Sequence, residues 1–223
     1  DYPNLEVVEA SAEDVLFENE EVRAVQTSEG ELETKAAVIT TGTFLRGKIF
    51  VGSESFPAGR YVRDDPYTAT TEPPSSGLAK TLEVDLALPL SRLKTGTPPR
   101  LDGTTIDWGK CVEQPSEEAQ PFSYFNDQRK DRKTVKCFRT ATNEKTHDIV
   151  REYVHTLAPT TTDGVGPRYC PSLHKKVERF SERDSHVVWL EPEGLDTDLV
   201  YPKGLSGAWP KDVQEKIVRS IVG

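Results

Sequence analysis

Between Asp14 and Thr40, short runs of mixed apolar and polar residues alternate with turn signals, and this pattern limits the first part of the chain to an antiparallel meander. Asp14–Glu18 and Glu21–Thr27 read as strands joined at the polar Asn19-Glu20 turn. Ser28-Glu29-Gly30 forms the next turn, and Glu31–Lys35 a third short strand. Ala36–Thr40 is an apolar run of the right length for a buried central strand. Gly42 follows it, and a residue without Cβ lets backbone come close to a ligand. Glu6–Val8 reads as a further short strand upstream. A meander of this kind occurs in many folds, so it sets architecture without naming an activity.

Beyond the meander, Thr68–Ser76 is loop by its Thr, Pro and Ser content, and Gly77–Glu83 suits one or two helical turns. Pro89 breaks the apolar Leu86–Leu93 run, and Gly96 with Pro98-Pro99 requires a tight turn over Thr95–Arg100. Val112–Asp131 is polar and irregular. Ile149, Tyr153 and Leu157 recur at helical spacing after a capping Thr146. His186–Glu191 is a strand, and Pro210–Val222 a helix with Val213, Ile217 and Ile221 on one face and Gly223 as its stop.

Charge and cysteine usage exclude several classes. With 28 Lys and Arg against 37 Asp and Glu, the net charge of -9 argues against nonspecific nucleic-acid binding by the whole chain. Cys111, Cys137 and Cys170 are widely spaced and odd in number, so no zinc site and no disulfide framework is expected, and a reducing compartment fits. No apolar run approaches the roughly 20 residues that span a bilayer. The sequence contains no Met and opens mid-pattern at Asp1-Tyr2-Pro3, so it reads as an internal part of a longer protein.

Chemistry concentrates after residue 165. Cys170 precedes a short amphipathic helix whose buried stripe is Leu173, Val177 and Phe180, with Pro171 leading in and Ser172 as N-cap. Arg168, Lys175, Lys176 and the helix dipole would favour thiolate over thiol. The other reading makes Cys170 a small core residue beside a turn. Gly166 permits close backbone approach, and Arg168 with a helix N-terminus attracts phosphate, whether of a dinucleotide or of RNA. Asn126–Arg139 holds Arg129, Lys130, Arg132, Lys133, Lys136 and Arg139 against two acids. It is either a solvated charge run or an RNA phosphate contact, with Phe122, Tyr124 and Phe125 beside it for base stacking. Glu191, Glu193, Asp196 and Asp198 form an acidic loop cluster. Glu144 and His147 are close enough to act as acid and base, or to belong to a helix cap and core edge.

The run from Gly166 to Phe180 resembles the signature of the GidA/MnmG family, flavoproteins that modify the wobble uridine of tRNA. Ala37-Val38-Ile39-Thr40-Thr41-Gly42-Thr43-Phe44-Leu45-Arg46-Gly47, Gly59-Arg60, Arg92–Arg100, Thr142–His147, Leu190–Gly194 and Tyr201–Gly204 are similar to further family blocks, in family order. Two departures stand out: His174 where the family has an acid, and Lys175 where it often has Asp. The segment Tyr61–Glu72 is also longer than in bacterial members.

The resemblance implies an α/β fold. Residues 1–92 would be part of an FAD-binding, glutathione-reductase-like (Rossmann-type) domain with a β-meander. Residues 93–201 would form an inserted α+β domain facing NAD and tRNA, and 202–223 would return towards the FAD-binding domain. It implies FAD contacts at Ala12 and Ser75. It implies an NAD site over Gly166, Pro167, Arg168, Tyr169, Cys170, Pro171, Ser172, Leu173, His174, Lys175, Lys176, Val177, Glu178, Arg179 and Phe180, with Cys170 catalytic. It further implies NADH as reductant, methylene-tetrahydrofolate as one-carbon donor, a GTP-hydrolysing partner subunit, a homodimer and a mitochondrial setting, or a cytoplasmic one for a bacterial member. Two other classes stand beside it: an NAD(P)H-dependent flavin oxidoreductase of a small molecule, and a non-catalytic RNA- or partner-binding module.

Overall fold

The structure, a computed structural model, describes residues 2–59, 61–63, 69–115, 123–125, 133–158 and 172–223. The chain divides into two compact units, Asp1–Phe50 with Ser55–Ser91, and Val51–Glu54 with Arg92–Gly223.

In the first unit, β1 (Ala12–Glu18), β2 (Glu21–Thr27) and β3 (Gly30–Glu33) form an antiparallel meander in sequence order. Asn19 and Glu20 both have positive φ, the two-residue turn that matches strand twist. Gly30 takes φ +122°, and the Thr27 hydroxyl donates to its carbonyl at 2.8 Å, which closes the second turn. The pairs β4 (Lys48–Val51) with β5 (Glu54–Pro57), and β6 (Tyr61–Arg63) with β7 (Ala69–Thr71), follow. A short helix α1 (Gly77–Lys80) runs into a π-helical turn, Thr81–Asp85. Val15, Leu78 and Leu82 form this unit's buried cluster, and the Thr81 hydroxyl donates to Asp14 at 2.9 Å.

Two expected strands are not formed. Ala36–Thr40 and Glu6–Val8 lie outside every strand, and Val38 and Val7 are 90% and 85% exposed. Apolar periodicity reports a tendency to be buried, but a strand also needs a hydrogen-bonding neighbour, and none of the described strands pairs with these runs.

The second unit is a five-stranded antiparallel sheet in the order β8-β12-β11-β10-β9, where β8 is Leu101–Asp102, β9 Val112–Gln114, β10 Cys137–Ala141, β11 Val187–Pro192 and β12 Leu199–Lys203. The helices α2 (Glu144–Glu152), α3 (Leu173–Arg179) and α4 (Lys211–Arg219) complete it. Val188, Leu190 and Val200 from the sheet pack with Val150, Leu173, Val177, Val213 and Ile217 from the helices around Trp209. Leu173 and Val177 of α3 and Val213 and Ile217 of α4 are therefore core, as their spacing predicts; Ile221, past the end of α4, packs against the core only partly buried, and Phe180, past the end of α3, stands outside the cluster against His186 and Arg183. Two helix starts differ from expectation. Asn143, not Thr146, caps α2, and Thr146 sits at the third helical position in a reciprocal capping box. Ser172 precedes α3 without a side-chain cap bond. Its hydroxyl pairs instead with His174 Nδ1 at 2.8 Å.

Candidate functional site

In the second unit, three sequence blocks far apart in the chain meet at Ser206. The Ser206 carbonyl accepts the Leu173 N–H at 2.8 Å, the first helical amide of α3. A Cβ on Gly96 would stand 3.2 Å from Ser206 Cβ, so the Lys94–Pro99 turn also presses against this residue. Gly204 takes φ +115°, and a Cβ there would sit 2.9 Å from the Val187 carbonyl. Gly207 lies under the Trp209 ring, where a Cβ would overlap it.

Around this junction the polar groups are unusual. His174 is partly buried against the edge of Trp209 at 6.1 Å. Burial, then the charges of Lys175 and Lys94, hold it below the ordinary imidazole range against the pull of Glu178. It is therefore a neutral imidazole at pH 7. Lys176 donates to the Gly204 carbonyl at 2.8 Å, and burial lowers its amine below the usual lysine value. Lys94 donates to the Ala158 carbonyl at 3.3 Å. The Trp209 indole nitrogen is buried with no hydrogen-bond partner among the described residues. Lys175 is exposed and bridges to Glu178 at 3.0 Å, which offsets part of its field. Gly166 to Pro171, and with them Cys170 and Arg168, lie outside the described residues. The described part of the expected nucleotide-binding run, Ser172 to Phe180, is divided by its own helix: Leu173 and Val177 serve the core, and His174 and Lys176 reach the junction.

A second buried polar group joins α2 to the ends of β10 and β11. Thr142, His147 and His186 are 2%, 2% and 7% exposed. The Thr142 hydroxyl accepts the His186 amide at 2.8 Å and lies 2.8 Å from His147 Nε2. The two imidazoles stand 5.1 Å apart, and His186 Nε2 has no partner among the described residues. Burial is the main cause that lowers both from the ordinary value, so the pair is neutral. His147 is thus a core-edge residue, while Glu144 lies exposed in the first turn of α2. Within the acidic cluster, Glu191 pairs with Lys203 at 3.2 Å and Glu193 with Arg100 at 2.6 Å.

The first unit brings its two expected cofactor contacts onto touching elements. Ala12 opens β1, and a Cβ on Gly77 would stand 3.0 Å from the carbonyl of neighbouring Glu13. Ser75 bridges to Leu45: its N–H donates to the Phe44 carbonyl, and its carbonyl accepts from Arg46, at 3.2 and 3.0 Å. With its backbone so fixed, the Ser75 hydroxyl is buried and has no partner among the described residues. A buried hydroxyl without a partner costs about 1–3 kcal/mol, which makes it a natural contact for a bound polar group. Of the functional groups now visible, Ser206, Trp209 and His186 escaped the sequence reading. His186 had a signal, being a polar-bearing residue at the edge of the apolar Val187–Leu190 run.

The profile of the family described as glucose inhibited division protein A matches residues 1–223. Two crystal forms of Aquifex aeolicus GidA are similar in structure. The form I structure is 39% identical with a TM-score of 0.79, covering 99% of this chain and 37% of that one. The form II structure is 38% identical with a TM-score of 0.76, covering 97% and 34%. The chain thus spans just over a third of the length of these solved relatives. A match across every residue, with all the sequence blocks in order and the fold shared, makes this chain a member of the glucose inhibited division protein A family.

Proposed function

We propose that this chain is part of an FAD-dependent enzyme that builds a carboxymethylaminomethyl-type group on carbon 5 of the wobble uridine of tRNA. The family match over residues 1–223 carries this reading, and the buried, partnerless Ser75 hydroxyl supports it from the structure. Ser75 and the backbone at Ala12 would hold FAD, which when bound supplies redox chemistry. NADH is the reductant in this scheme, methylene-tetrahydrofolate the one-carbon donor, and a GTP-hydrolysing subunit and a second copy of the chain the partners. We read a mitochondrial setting from the long Tyr61–Glu72 segment and the departures at His174 and Lys175, with the cytoplasm as the alternative.

Carbon 5 of uridine is a poor nucleophile. Attack of the Cys170 thiolate on carbon 6 moves the ring π electrons onto the carbon 4 oxygen, and the resulting enolate is nucleophilic at carbon 5. Once carbon 5 has taken the one-carbon unit, loss of its proton and departure of the sulfur restore the ring double bond. His174, neutral and four residues beyond Cys170, is available to take or return a proton at pH 7. Cys170→Ser in the full-length protein should abolish modification in a purified assay while the visible flavin absorbance stays at the wild-type level. Modification that survives the substitution removes Cys170 from the chemistry.

A further inference from the structure

The helix-packed face of the five-stranded sheet carries Val188, Leu190 and Val200 into the core. Side chains alternate along a strand, so their neighbours point the other way. The register sets Val112, Arg139, Trp189 and Lys203 abreast across β9, β10, β11 and β12. Tyr201 stands opposite Glu191 on the same face, a diagonal neighbour of Trp189. None of these residues belongs to the core cluster. Val112 and Val187 are 57% and 47% exposed on this side. The Arg100 guanidinium stacks on Tyr201 at 4.5 Å and is itself held by Glu193.

We infer that this sheet face binds unpaired nucleotides of the RNA substrate, with the half-buried Trp189 and Tyr201 rings as stacking platforms and Arg139 and Lys203 as phosphate contacts. The inference rests on the tRNA reading given above. Aromatic rings on an antiparallel sheet, flanked by cations, suit unpaired bases, because every base offers a π face. Charge favours RNA over a second copy of the chain. Residues 133–139, which run into and through β10, hold Lys133, Lys136 and Arg139 and no acid, in a chain of net charge -9. Arg139 is exposed, with no carboxylate partner within ion-pair distance among the described residues. Lys203 is held by Glu191 at 3.2 Å in an exposed pair, which a phosphate displaces at little cost. A protein interface would show a more continuous apolar centre than these alternating charges allow.

The test is titration of full-length wild type, Trp189→Ala, Tyr201→Ala, Trp189→Phe and Arg139→Glu with an unmodified anticodon stem-loop at fixed salt. Each alanine variant should bind about tenfold or more weakly. Trp189→Phe, which keeps a ring, should retain most of the affinity. Arg139→Glu should weaken binding and flatten its salt dependence. Each variant should remain folded at the titration temperature, which its unfolding midpoint measures. Alanine variants that bind as wild type overturn the inference and leave the tRNA reading standing. Variants that change sedimentation while RNA affinity holds make the face a protein interface and overturn it too. A wild-type protein that fails to bind the stem-loop overturns both.

Discussion

Ten buried apolar side chains close the core of the second unit, from Val150 to Ile217, whereas the first gathers three, Val15, Leu78 and Leu82, among the described residues. The second unit tolerates no Cβ at Gly207, under Trp209, while the first leaves Val7, Val38 and Val84 between 61% and 90% exposed. One unit is held by its own burial. The other leaves apolar side chains exposed and a buried hydroxyl, that of Ser75, without a partner among the described residues.

The sharpest way to break this contrast is to truncate one side chain in each unit. Trp209→Ala should destabilise by about 3–5 kcal/mol, since the indole is 1% exposed and closes the core. Val38→Ala should shift stability by no more than about 0.5 kcal/mol. Urea midpoints measure both, and a comparable loss at Val38 would reveal a first-unit core that the structure does not show.

Acid should act on the second unit next. His147 and His186 are held below the ordinary value of 6.5, chiefly by burial. Each faces further charges: Arg151 disfavours the cationic form of His147, and Lys176 and Arg183 disfavour that of His186, against the weaker pull of Asp148, Asp184, Glu144 and Glu182. The unfolded chain then binds protons that the folded chain refuses. Stability is complete above pH 6.5 and declines as pH falls through the lower folded values. Thermal midpoints from pH 8 to pH 5 should show this decline, and His186→Phe should shallow it. An unchanged slope would separate the pair from the acid response.

The smallest effect sharpens the account of the first unit. Ser75→Ala should leave the unfolding midpoint of the flavin-free protein unchanged or slightly raised, because the hydroxyl has no internal partner to lose. It should weaken FAD binding several-fold, about 1 kcal/mol, in a fluorescence titration. Loss of stability without loss of flavin affinity would make Ser75 an ordinary structural residue.

Patterns set by one element's own periodicity were readable in advance. Leu173 and Val177, and Val213 and Ile217, form buried stripes where their spacing places them. The meander was readable from Asn19-Glu20 and Gly30, whose positive φ values are local properties. Features that need a distant partner were not readable. Ala36–Thr40 has a strand's composition but no described neighbour to pair with. Ser172 has a cap's chemistry, yet His174 takes its hydroxyl. Asn143 outcompetes Thr146 because its side chain accepts the Thr146 amide at 3.0 Å while its own NH2 reaches the Ser220 carbonyl at 2.7 Å, 77 residues away. The His147–His186 pair exists only once α2 has packed against β10 and β11, and the Ser206 junction only once α3 has docked.

The central claim, that this GidA-family chain serves the wobble uridine, is tested most directly by mass analysis of nucleosides from tRNA. Cells lacking the gene are to be compared with cells complemented by wild type or by Cys170→Ser. The account predicts loss of the carbon 5 substituent on deletion, recovery with wild type and none with Cys170→Ser. An unchanged wobble nucleoside in the deleted cells would contradict it.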